Sequence, residues 1–168
     1  MHPYKTIKKL LEKKDFNAFL EFVKTEYIYE LEEGDEYLLY KKGPLKWQKE
    51  LLQRIQPYSK SERQIFKNGN LDMILMLISR YDVSRKNLVW GFANVDLKKL
   101  RAIARKTNPK QSANFEIALI NCANEDLFKI WLDKVPDLQP ASKDFLRDTY
   151  AVRDLRTIYN RRFPEEPI

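Results

Sequence analysis

Four stretches decide the fold: Phe66-Lys67-Asn68-Gly69-Asn70-Leu71, Phe92-Ala93-Asn94-Val95-Asp96-Leu97, Cys122-Ala123-Asn124-Glu125-Asp126-Leu127 and Tyr150-Ala151-Val152-Arg153-Asp154-Leu155. They align without a gap, and their leucines lie 26, 30 and 28 residues apart. Ile74, Leu100, Ile130 and Ile158 follow three residues after each leucine, and an apolar pattern of helical period continues beyond. Recurrence at this spacing marks a repeat architecture in which each unit is one supersecondary element.

The chemistry of the unit explains its residues. Asn70, Asp96, Asp126 and Asp154 each stand where a side-chain oxygen accepts a hydrogen bond from the exposed N–H groups that begin a helix. The small residues Ala93, Ala123 and Ala151 stand three places earlier, where one helix ends and the next passes close by. Ser61, Ser84, Ser112 and Ser142 precede apolar-periodic stretches and are expected to cap the first helix of each pair. Pro109, Pro136 and Pro140 fall between units. A weaker copy opens at Asp15-Phe16, 55 residues before Leu71, and a degenerate one centres on Leu45. The expected fold is mainly α, a single domain over residues 1–168 of stacked helix-turn-helix units. The units fall at about 4–27, 41–57 (degenerate), 59–82, 84–107, 112–136 and 142–163.

One segment departs from this grammar. Between Glu26 and Lys42, Tyr27, Tyr29 and Leu31, then Tyr37 and Leu39, alternate around Glu32-Glu33-Gly34-Asp35. The alternation predicts a small β-hairpin near residues 27–40, with an extended second helix running through Leu31 as the rival reading.

Asn68-Gly69-Asn70-Leu71-Asp72-Met73-Ile74 and Cys122-Ala123-Asn124-Glu125-Asp126-Leu127-Phe128-Lys129-Ile130 resemble the junction between the two helices of an ankyrin repeat. They are most similar to the degenerate ankyrin-like repeats of large DNA viruses and some intracellular bacteria, over about residues 59–162. A generic α-solenoid of the HEAT or tetratricopeptide type is the alternative. The Thr-Pro-Leu-His-x-Ala signature is absent, and the spacing is shorter than the ankyrin repeat of about 33 residues. The resemblance implies a protein that binds other proteins, with a host or defence protein as the target.

Charge and composition narrow the function classes. The chain carries 31 Lys and Arg against 24 Asp and Glu, a net charge of +7. Glu26, Glu30, Glu32, Glu33, Asp35 and Glu36 fall between Thr25 and Tyr40 with no Lys or Arg among them, so the remainder carries +13. With one histidine, His2, and one cysteine, Cys122, no ordinary His/Cys zinc site, catalytic triad, Cys-His dyad or internal disulfide can be assembled within one chain. The four glycines form no phosphate-binding loop. Glu32-Glu33 and Asp35-Glu36 read as a solvated turn, and Cys122 as a small buried apolar residue. No apolar run approaches the roughly 20 residues of a membrane span, and no secretory leader is evident, so an intracellular protein is expected, in the cytoplasm or, if viral, the host cytoplasm or nucleus.

Candidate partner-binding residues follow from the same reading. Lys98, Arg101 and Arg105 share one face of a helix, and Arg153, Arg156, Arg161 and Arg162 repeat the arrangement at the end of the chain. Lys5, Lys8, Lys9, Lys13 and Lys14 do so at its start. Of the three tryptophans, Trp90 and Trp131 are expected to pack between repeats, whereas Trp47, beside Lys41, Lys42 and Lys46, is the candidate for exposure. Tyr29, Glu33 and Tyr37 of the irregular segment complete the set. The expected function is a non-enzymatic protein-interaction module without cofactor or metal, with nucleic-acid binding through the basic helix faces as the alternative. The sequence leaves the oligomeric state open.

Overall fold

A computed structural model describes residues 3–109 and 112–168, with side chains from residue 7 onward. Twelve α-helices are present among them, and no strand. In order they are α1 (Pro3–Lys13), α2 (Phe16–Lys24), α3 (Glu33–Lys42), α4 (Leu45–Leu52), α5 (Ser59–Asn68), α6 (Leu71–Arg80), α7 (Arg85–Ala93), α8 (Leu97–Lys106), α9 (Ala113–Asn121), α10 (Glu125–Leu132), α11 (Pro140–Asp148) and α12 (Arg153–Arg162). Short 3₁₀ turns fill Glu26–Glu30 and Tyr150–Val152. The chain divides into two compact units, residues 1–77 and 78–168.

Within each unit the helices pack by parity. In the first, α1 lies against α3 and α3 against α5, while α2 lies against α4. In the second, α7 lies against α9 and α9 against α11, while α8 lies against α10 and α10 against α12. Helices of eight to eleven residues are too short to be stable alone, so burial of one apolar stripe against the neighbours must hold them. Phe19, Leu39, Tyr40, Leu51 and Phe66 supply that core in the first unit, and Phe115, Phe128, Trp131, Leu146 and Tyr159 in the second.

The caps show how the sequence writes the turns. Asp15, Asn70 and Asp96 accept from the N–H groups of Ala18 at 3.0 Å, Met73 at 3.1 Å and Lys99 at 2.9 Å, as their position predicts. In the third copy the cap is Asn124, which accepts from Leu127 N–H at 2.9 Å, so Asp126 lies inside the first turn of α10. In the fourth copy the 3₁₀ turn runs directly into α12, and Asp154 is likewise in the first turn and caps nothing. Among the described residues three have positive φ: Lys14 (53°), Gly69 (64°) and Ala123 (50°). Each immediately precedes a capping residue, so at these three turns a left-handed residue followed by Asp or Asn reverses the chain between two helices, whereas the turn before Asp96 does so without one.

Other expectations are corrected. Of the four serines, Ser84 caps α7 through Asn87 N–H at 3.3 Å, and Ser112 occupies the cap position of α9 without a side-chain bond. Ser61 and Ser142 are buried inside α5 and α11. The hairpin at 27–40 is absent: Glu26–Glu30 is a 3₁₀ turn and Glu33–Lys42 is α3. The rival reading fails as well, because α2 ends at Lys24. Burial shows why the alternation misled. Ile28 and Leu31, three residues apart as a 3₁₀ turn requires, face inward, while Tyr27 and Tyr29 face out. In α3 the inward stripe is Asp35, Glu36, Leu39 and Tyr40, whose two acids conceal its helical period from a hydropathy reading.

Candidate functional site

Three of the seven basic residues singled out in the second unit, Arg101, Arg153 and Arg156, have partners within it, and Arg161 and Arg162 are exposed on α12. Arg101 pairs with Asp126 at 3.1 Å and joins α8 to α10. The Arg156 guanidinium donates to the carbonyls of Leu146, at 3.3 Å, and Arg147, closing the C-terminal end of α11. Arg153 donates to the Tyr150 hydroxyl at 2.6 Å and lies 3.8 Å from Asp154. Lys98 and Arg105 remain exposed on α8. The Lys5 side chain lies outside the described residues.

A cation the sequence reading passed over does similar work. Lys134 Nζ donates to the carbonyls of Ala104 at 2.9 Å, Arg105 at 2.7 Å and Thr107, placing an ammonium on the negative end of α8. Burial holds its pKa below the ordinary lysine range. Lys143 pairs with Asp137, to which Tyr159 also donates at 2.7 Å. Burial and the Asp137 contact push the Tyr159 phenol up to about 12.

Trp47 is not an exposed anchor. It is 3% exposed and stacks on Phe19 with ring centroids 4.5 Å apart. It forms the floor of an apolar hollow of about 410 Å³ with Leu11 and Leu38, rimmed by Lys8, Lys14 and Lys42. Trp131 is fully buried, as expected, and lies 5.0 Å from Phe115; Trp90 is half-buried. Cys122 is half-buried, and desolvation pushes its thiol up to about 11, which leaves it almost wholly protonated near neutrality.

Two buried carboxylates were unreadable in the sequence. Glu116, the fourth residue of α9, accepts from Trp131 Nε1 at 3.1 Å and from the backbone N–H of Gln139 at 2.9 Å. Glu36, the fourth residue of α3, accepts from the backbone N–H of Tyr58 at 2.8 Å. Gln139 and Tyr58 are the cap residues of α11 and α5, so in each unit one odd-numbered helix uses a carboxylate to satisfy the start of the next. Asp35 and Glu36 are thus buried, and the solvated-turn reading of this pair is wrong.

Burial pushes Glu36 up to about 7, against the Ser61 hydroxyl and the Tyr58 N–H, which favour ionisation, and with the charges of Glu62 and Glu33. Glu36 lies beneath a concavity of about 300 Å³ shared with Ile28, Tyr29, Leu31 and Tyr58. The structure therefore brings Tyr29 to a cavity, as an exposed ring. Glu33 pairs with Lys60 at 3.6 Å, and Tyr37 lies under Lys41 at 5.6 Å. Among the described residues no helix is long and apolar enough to cross a membrane, and no group of three or more His, Cys, Asp or Glu side chains is arranged to hold a metal ion. No family model, curated protein or solved structure matches the chain.

Proposed function

We propose that this chain is a non-enzymatic protein-interaction module, with each compact unit a segment of α-solenoid that offers a helical face to a partner protein. The packing by parity carries the reading, since alternate helices stacked on one another are what a repeat scaffold needs to present a stiff surface without reordering on binding. The resemblance of the helix junctions to degenerate ankyrin-like repeats adds a direction: sequestration or inhibition of a host or defence protein inside a cell.

The second reading, nucleic-acid binding, keeps its support in the exposed Lys98 and Arg105 of α8 and Arg161 and Arg162 of α12. It loses Arg101, Arg153 and Arg156, which already have partners within the second unit. Partner recovery with the intact chain and with Lys98→Glu/Arg105→Glu in parallel separates the two. The protein-binding reading expects the same protein in similar yield from both, whereas loss of all binding in the variant transfers the weight to phosphate contacts.

A further inference from the structure

The concavity of the first unit has a chemistry of its own. It lies between the 3₁₀ turn, α3 and the connection through residues 54–58. Ile28, Leu31 and Ile55 give it apolar walls. Tyr29 and Tyr58 line it while remaining 74% and 46% exposed, and the Tyr58 hydroxyl donates to Leu31 O at 3.3 Å, which fixes that ring. At the base is Glu36, wholly buried, with one carboxyl oxygen taken by Tyr58 N–H and the carboxyl also set against the Ser61 hydroxyl. Glu26, Glu30 and Glu32 are exposed in the adjoining chain. Apolar walls, exposed aromatic rings and a carboxyl at the base suit a hydrocarbon or planar stem that ends in a positive charge.

We propose that this pocket receives a lysine or arginine side chain from a basic segment of the partner protein, with Tyr29 and Tyr58 against its stem and charge and Glu36 beneath. The inference rests on the protein-binding reading above and gives the partner its chemistry. Arg54 also lines the pocket and is exposed, so its charge opposes an incoming cation and sets an upper limit on affinity. That opposition is useful, because it predicts a substitution that strengthens binding, which damage to the fold does not do.

The test titrates the isotopically labelled full chain with capped tripeptides Gly-Xaa-Gly, in which Xaa is lysine, arginine or the uncharged arginine isostere citrulline, and follows backbone amide shifts. The lysine and arginine peptides should shift Ile28, Tyr29, Ile55 and Tyr58 and saturate, with citrulline at least about fivefold weaker. Arg54→Gln should tighten the cationic peptides about twofold or more, and Tyr29→Ala should weaken them about two- to fivefold. Glu36→Gln should also weaken them; because it alters a buried group, the two surface variants decide the matter if it folds poorly. Equal binding of citrulline, or no response to either Arg54→Gln or Tyr29→Ala, overturns the proposal, as do shifts confined to other residues. Failure with the peptides while a protein partner is still recovered removes the pocket alone. A chain that recovers no protein partner removes the wider reading whatever the peptides do.

Discussion

Glu36 is the residue on which most depends. Its carboxyl is buried and near-neutral in pKa, so the folded state holds its proton more tightly than the unfolded chain, whose ordinary value is 4.5. Its contribution to stability is complete below pH 4.5 and is lost as pH rises through about 7. The groups facing it are Glu33, Tyr58, Ser61 and Glu62, with Arg54 lining the same concavity and Lys60 paired to Glu33. Urea unfolding at pH 5 and pH 8 should show the wild type losing about 2.5 kcal/mol relative to Glu36→Gln across that interval. Parallel pH profiles for the two chains would contradict a buried, titrating carboxyl. Glu116 has both its oxygens used, by Trp131 and Gln139, so Glu116→Ala should cost about 2–4 kcal/mol, through the loss of the acceptor for two donors. Neither residue was legible in the sequence. A carboxylate in the first turn of a helix is usually solvated, and only the return of a cap residue's N–H some 22 or 23 positions later makes burial tolerable.

At the scale of the element, the turn between helices is the informative unit. Asp15, Asn70 and Asp96 were legible because capping is local: an acceptor side chain just before an apolar-periodic run has one obvious use. Asp126 was misread because a second acceptor, Asn124, stands two residues earlier, and the backbone chose the one that follows the left-handed Ala123. Asn124→Ala should therefore destabilise by about 1 kcal/mol, and Asp126→Ala by less, through its exposed pairing with Arg101 alone. Thermal or urea unfolding that ranked them in reverse would contradict the register of α10. The same geometry predicts that Ala123→Gly stabilises by about 1 kcal/mol, since it relieves a positive φ of 50°, whereas Gly69→Ala destabilises by a similar amount. The 26–31 segment was illegible for a different reason. Tyrosines on alternate residues suit a strand, but a 3₁₀ turn that buries Ile28 and Leu31 exposes them equally well.

Across the whole molecule, the helical class and the spacing of the second-helix starts came from four leucines and the pattern that follows them, because burial of one stripe per helix is written directly in the sequence. What the charges do was not written there. Arg101, Arg153 and Arg156 resemble a phosphate-binding face in one dimension, yet in three dimensions their partners are Asp126, Tyr150, Asp154 and the carbonyls ending α11. The acidic segment between Thr25 and Tyr40 divides likewise: Asp35 and Glu36 turn inward, and Glu26, Glu30 and Glu32 stay exposed. The concavity lined by Tyr29 and Tyr58 holds one acid, the buried Glu36, and one base, the exposed Arg54. The most direct test is the mass of the complex recovered with the intact chain, measured by gel filtration with light scattering after nuclease treatment at about 0.15 M and 0.5 M salt. The account predicts a complex of fixed stoichiometry with a protein, unchanged by nuclease and present at 0.15 M; collapse to the mass of the chain alone on nuclease treatment would contradict it.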